Sequence, residues 1–218
     1  MNASGALNYY ESAVRADSRN AEALWRAANE ATDLGEFDDA RRDSLYRLAE
    51  DFGRRAVLAD GRSPMAHFAL AKALGRRALS LGVRDRVKYA EVVRTEALEA
   101  LRLDSLNAGA LHVLGMWHAE IMRLIGIERF FARKVLGGKT VSEARWGEAT
   151  RLLEMAVELE PDKIVHRLAL GDVYAERGLK PQARAAYETA LGLKPIEYND
   201  LRYRRVVETR LSSVVNRP

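Results

Sequence analysis

Four residues recur at a single spacing, and that recurrence constrains the fold more than any other feature of the chain. Ala149, Leu153, Ala156 and Pro161 stand 34 residues before Ala183, Tyr187, Ala190 and Pro195. A fixed period of this length marks a stacked array in which each unit buries its apolar face against the next. The phrase Ala-Val-Glu-Leu-Glu-Pro ending at Pro161 has upstream echoes. It returns as Ala-Leu-Arg-Leu-Asp-Ser ending at Ser105, Ala-Val-Leu-Ala-Asp-Gly ending at Gly61 and Ala-Val-Arg-Ala-Asp-Ser ending at Ser18. Ten residues beyond each anchor stands a small residue: Ala28, Ala71, Gly115 and Gly171. Successive anchors are 43, 44, 56 and 34 residues apart, so the earlier units have longer helices or carry an insert.

Helix packing explains the spacing. Two antiparallel helices approach closely only where their side chains are small, as at Gly171, Ala183 and Ala190, while Leu170, Tyr174 and Tyr187 fill the space between units. Pro195 cannot continue the hydrogen-bond ladder and ends a helix, whereas Pro181 suits a first turn. The pattern predicts an all-α chain: a leading helix over about 3–16, then four helix pairs and a closing helix. The pairs fall at about 20–34/37–59, 63–81/84–103, 107–125/144–160 and 163–177/180–193. Within a single unit spanning 1–218, they occupy 20–59, 63–103, 107–160 and 163–193, with an insert at 126–143. Gly35 and Gly178 are expected at equivalent inter-helix turns. The closing helix, at about 197–214, carries Arg202, Arg204, Arg205, Glu208 and Arg210, which suit a solvent-facing cap.

The run Leu170-Gly171, Tyr174, Ala183, Tyr187, Ala190 and Pro195 resembles the tetratricopeptide repeat. The resemblance implies a right-handed superhelical α-solenoid whose first helices line a concave groove that binds a protein or peptide. Carried onto this chain residue by residue, it points to Trp25, Asn29 and Asp33, then Phe68, Lys72 and Arg76, then His112, Met116 and Glu120, and last Leu168, Asp172 and Glu176. The carboxylate-clamp pattern of chaperone-binding relatives is incomplete: Asn29 is present, but Trp25 replaces the required lysine. A narrower likeness covers about 107–178. There Ala-Leu-His-Val-Leu-Gly-Met-Trp at 110–117, the insert running to Gly137-Gly138, and Ser-Glu-Ala-Arg-Trp-Gly-Glu-Ala at 142–149 resemble bacterial relatives of the regulator of microtubule dynamics family. No counterpart of the animal members' membrane anchor is expected.

Composition narrows the chemistry. The chain has 218 residues and no cysteine, which removes disulfides, thiolate metal sites and a Cys nucleophile. Aromatics are 7%, too few for a nucleic-acid platform of stacked rings. No run reaches the ~18 apolar residues of a membrane span; Leu111 to Ile127 is broken by His118, Glu120 and Arg123. The start, Met-Asn-Ala-Ser-Gly, lacks the features of a signal peptide, and the compartment stays open between cytoplasm and periplasm. Net charge is +4 but unevenly spread. Residues 1–40 carry three Arg against eight acids, and residues 41–102 carry fourteen Lys/Arg against eight acids. The basic middle could steer an acidic partner, although exposed helices that wear Arg and Glu for solubility are the simpler account.

Other motifs have ordinary explanations. Leu136-Gly137-Gly138-Lys139-Thr140 has Arg133 where a phosphate loop needs glycine and follows no strand, so a glycine turn accounts for it. Thr140 or Ser142 would cap the following helix. His67, His112, His118 and His166 show no i,i+4 pairing, no metal site or cofactor is expected, and no catalytic set can be nominated. In the insert, Ile127, Phe130, Phe131, Val135 and Leu136 form one apolar face, suited to docking, to touching a membrane or, more simply, to packing on the neighbouring helix pair. Three functions follow: a protein-binding scaffold, the reading preferred here; an RNA-binding solenoid using the basic middle; or, less favoured, an enzyme with a pocket site.

Overall fold

A computed structural model describes residues 3–124, 134 and 143–215. Ten helices are found among them: α1 (Ala3–Ala16), α2 (Ala21–Glu36), α3 (Arg42–Ala59), α4 (Pro64–Leu79), α5 (Val83–Leu103), α6 (Ala108–Arg123), α7 (Trp146–Leu159), α8 (Ile164–Glu176), α9 (Lys180–Gly192) and α10 (Asp200–Val215). No strand occurs among the described residues. Each helix packs on its successor, and α2, α4, α6 and α8 also touch one another in turn. The fold is an all-α tetratricopeptide-like solenoid. No helix among the described residues is long and apolar enough to cross a membrane. The insert face, the Leu136–Thr140 phrase and Ser142 lie outside the described residues, and α7 begins without a side-chain cap.

The turns between units are built by a short recurring phrase. In Asp17-Ser-Arg-Asn20, Asp60-Gly-Arg-Ser63 and Asp104-Ser-Leu-Asn107, the aspartate carboxylate accepts from the N–H two residues on, at 2.9–3.0 Å. Its backbone carbonyl accepts from the fourth residue's N–H at 3.2 Å. That fourth residue then caps the next helix: Asn20 accepts from Ala23 N at 2.9 Å, Ser63 from Ala66 N at 3.2 Å and Asn107 from Ala110 N at 2.9 Å. An Asx turn thus hands the chain to an N-cap, satisfying donors that a helix start leaves open. At the fourth turn, Glu160 and Lys163 replace both polar residues, and the cap is lost.

Small residues form the seams. Ala28, Ala71, Ala183 and Ala190 are fully buried. A Cβ on Gly171 would lie 2.4 Å from Tyr187 Cε1, and one on Gly115 would lie 2.9 Å from Leu153 Cγ. Gly35 departs from its expected role. It lies inside α2, where a Cβ would sit 2.7 Å from Tyr46 Cε1, so it is a contact glycine, whereas Gly178, with φ +75°, holds the expected turn. The α2–α3 turn also extends to Arg41, moving the start of α3 from the expected 37 to 42. The closing helix is more than a polar cap, because it buries Asp200, Tyr203 and Val207.

Candidate binding cavity

The concave faces of α2, α4, α6 and α8 enclose a cavity of about 970 Å³. Helical spacing aims its lining inward: residues three or four apart share one face, as in Asn29–Asp33–Glu36, Phe68–Lys72–Gly75, His112–Met116–Glu120 and Val165–Leu168–Asp172. Ten of the twelve groove residues expected from the sequence line it: Asn29, Asp33, Phe68, Lys72, Arg76, His112, Met116, Glu120, Leu168 and Asp172. The other two lie elsewhere. Trp25 packs on the N-terminal core cluster with the Arg26 guanidinium 4.5 Å above its ring, and Glu176 bonds Arg123 at 2.9 Å, tying α8 to α6.

Most charges around the cavity are already partnered. Lys72 meets Asp33 at 2.8 Å, Arg76 meets Glu36 at 2.8 Å and Arg210 meets Asp172 at 3.1 Å, while Lys163 pairs with Glu197 and Glu120 with Arg123. Glu30 has no such partner among the described residues. Burial, with Asp33 second, pushes its carboxyl above the usual range. Carboxylates outnumber Lys and Arg in the lining: Glu30, Asp33, Glu36, Asp104, Glu120, Glu160, Asp172 and Glu197 against Lys72, Arg76, Arg86 and Lys163. The apolar part of the wall comes largely from Phe68, Val113, Met116, Trp117, Ile121 and Leu124.

Two histidines join α6 to α8 inside this wall. His112 Nδ1 and His166 Nδ1 are 3.0 Å apart, so one ring donates to the lone pair of the other, and His166 Nε2 lies 3.1 Å from Glu160 Oε2. Burial, with His166, Arg76 and Lys72 adding to it, holds His112 well below its ordinary pKa. The other two histidines bridge within the scaffold, His67 to Glu96 at 2.6 Å and His118 to the Arg145 N–H at 3.4 Å. No group of three or more His, Asp or Glu among the described residues could hold a metal ion.

One wall comes from the far end of the chain. Glu197, Tyr198, Asn199 and Tyr203 line the cavity beside the C-terminal end of α2. The Asn199 amide donates to the Asp33 carbonyl at 2.8 Å, and the Tyr203 hydroxyl donates to Glu36 at 2.6 Å. Phe37 sets its ring edge-on to Tyr203 with centroids 5.5 Å apart. This wall, together with Glu30, Glu160, Lys163 and His166, lies outside the positions that the repeat pattern singles out. The helical face offered a signal for His166, which lies one turn before Ala169, another lining residue.

Comparison with known proteins assigns the family. Residues 1–214 match the family described as Regulator of microtubule dynamics protein 1-3. The chain belongs to that family. Membership therefore extends far beyond the 107–178 segment that carries the sequence likeness. Among curated members, regulator of microtubule dynamics protein 1 of Mus musculus is 25% identical over 171 residues, covering 77% of this chain and 55% of the mouse protein. The chain thus spans about half the length of that relative. A thermophilic TPR protein of Thermus thermophilus superposes with a TM-score of 0.70 at 23% identity, covering 96% of this chain and 91% of that one. The human IFIT1 dimer solved with m7Gppp-AAAA gives 0.50 at 18% identity, covering 98% of this chain and 53% of that one. These two likenesses concern the fold.

Proposed function

We propose that this member of the family is an interaction scaffold that holds an extended protein segment inside its concave cavity, and that the segment mixes basic and apolar residues. The fold and family fit a scaffold rather than an enzyme. The observation that carries the finer reading is the lining: an apolar floor beside a rim where carboxylates outnumber cations and Glu30 joins no ion pair among the described residues. Such a surface favours apolar anchors with Lys or Arg beside them, and repels a phosphate backbone.

The basic stretch 41–102 offers less to an acidic partner or to RNA than its composition promises. Arg41, Arg47, Arg54, Arg55, Lys88 and Arg102 each pair with an acid three or four residues away, and Arg77 bonds Glu50. A random peptide library panned on the purified protein tests the reading. Enrichment of Lys or Arg next to bulky apolar residues is expected, with binding lost in Phe68→Ala and weakened in Glu30→Gln. Enrichment of acidic peptides would overturn it, as would single-stranded RNA binding whose affinity falls steeply with salt.

A further inference from the structure

Three side chains on the cavity wall form a hydrogen-bonded chain with one open end. Glu160, just past α7, is partly exposed, and its bond to His166 is the main cause that holds its carboxyl below the usual range. It is therefore ionised and can only accept. His166 must carry a proton on Nε2, 3.1 Å from that carboxylate, and a neutral imidazole has only one. His166 Nδ1 is then a bare lone pair, so His112 Nδ1, 3.0 Å away, has to be the donor. Burial keeps His112 neutral. Its single proton thus sits on Nδ1, and its Nε2 has none.

That nitrogen makes no hydrogen bond to a described residue, yet it is not sealed in the wall. The buried side-chain nitrogens and oxygens without partners belong to Asn29, Arg77, Arg86 and Asp200. His112 lines the cavity between two apolar neighbours: Met116 stands one turn later on α6, and Phe68 lies against Gly109, one turn earlier. In such surroundings a hydrogen bond is stronger than in water. The charge of the donor is constrained as well. Lys72 and Arg76 lie close enough to help keep His112 neutral, so a further cation is disfavoured there. A neutral N–H suits the position, and the basic side chains of a bound segment belong with the carboxylates of the rim.

We infer that Glu160 and His166 fix the tautomer of His112, and that His112 Nε2 accepts a backbone N–H from the segment held in the cavity. The ligand's identity rests on the reading proposed above, but the relay can be tested in the free protein. With isotope-labelled histidine at about pH 8, long-range proton–nitrogen NMR correlations should show His112 protonated on Nδ1 and His166 on Nε2. The loss of one set of signals in His112→Asn identifies that residue. His166→Asn removes the middle of the chain, and Glu160→Ala removes its partly exposed end, a change the fold should tolerate. In either variant His112 should populate both tautomers while helical circular dichroism stays unchanged. His112 protonated on Nε2 in the parent, or a tautomer that neither substitution moves, would overturn the relay. The acceptor is tested with N-methylacetamide, a single amide donor, against dimethylacetamide, which lacks the N–H. Only the first should shift the His112 Nε2 resonance saturably; equal shifts would refute the site. In a peptide recovered by panning, replacing one backbone amide by an ester should weaken binding about three- to tenfold at a single position. That loss should vanish in His112→Leu, and its persistence would place the N–H elsewhere. A response to N-methylacetamide beside failed panning would count against the peptide reading and support the amide site.

Discussion

The seams between helices and the wall of the cavity are built by the same helices, yet they answer to different physics. At a seam, shape decides: Gly171 receives the face of Tyr187, whose hydroxyl is fixed by Asp172 at 2.8 Å, and neither side can give way. On the cavity wall, charge decides, and long side chains choose partners from neighbouring helices. Seams should therefore govern stability and tolerate little, whereas the wall should govern binding and tolerate much.

The largest blow to that contrast would be a tolerant seam. Leu153 is fully buried against Ala119, Ala149, Ala169 and Val173 and covers Gly115. Leu153→Ala should cost about 2–5 kcal/mol in urea unfolding. Gly171→Ala comes next. The new methyl would overlap a ring that cannot move, at a cost of about 1–3 kcal/mol, partly offset by up to ~1 kcal/mol of better helix propensity. A melting temperature lowered by about 2–6 °C is expected, and a rise would mean that Tyr187 yields.

Seams were readable in the sequence because their rule is local. Small residues at a fixed distance from an anchor need only the helical repeat to be interpreted, and Ala28, Ala71, Gly115 and Gly171 are all buried. Gly35 shows where such alignment fails. Counted along the repeat it matches the turn residue Gly178, but packed in space it does the work of Gly171, facing a tyrosine on the following helix. The Asp-x-x-Asn/Ser turns are equally local, but they are polar and so stand outside the apolar and small-residue period that marks the helices. Cavity-facing positions follow from helix face, which is a matter of period, and ten of the twelve named residues line the cavity. Their partners could not. Asp33–Lys72 and Arg76–Glu36 join helices roughly 40 positions apart, and the Asn199–Asp33 bond spans 166. Nothing in a local pattern says how far a superhelix turns before its ends meet.

The wall has one effect on stability, and pH should reveal it. His112 is held below its ordinary pKa, so as pH falls the unfolded chain takes up that proton before the folded one does. Stability is then full above about pH 6.5 and declines with acidification. His118, lowered mainly by burial, adds to the same slope. Urea midpoints should fall between about pH 7 and about pH 5, and His112→Asn should flatten part of that fall. An undiminished slope in the variant would assign the loss to His118 and the carboxylates.

The smallest stability effect belongs to Lys72, and it sharpens the contrast most. Its partner Asp33 and the ammonium itself are each partly open to solvent, with side chains 32% and 22% exposed, so the pair should contribute about 0–1 kcal/mol. Lys72→Ala should leave the melting temperature within a few degrees of the parent. The same change frees a carboxylate beside Glu30 and makes the rim more negative. If the cavity selects basic segments, peptides enriched on the parent protein should bind Lys72→Ala more tightly, and the gain should shrink as salt is added. A loss of affinity without a change in stability would instead assign Lys72 to direct contact with the bound chain. Both outcomes separate binding from folding at a single position, a separation that no seam residue permits.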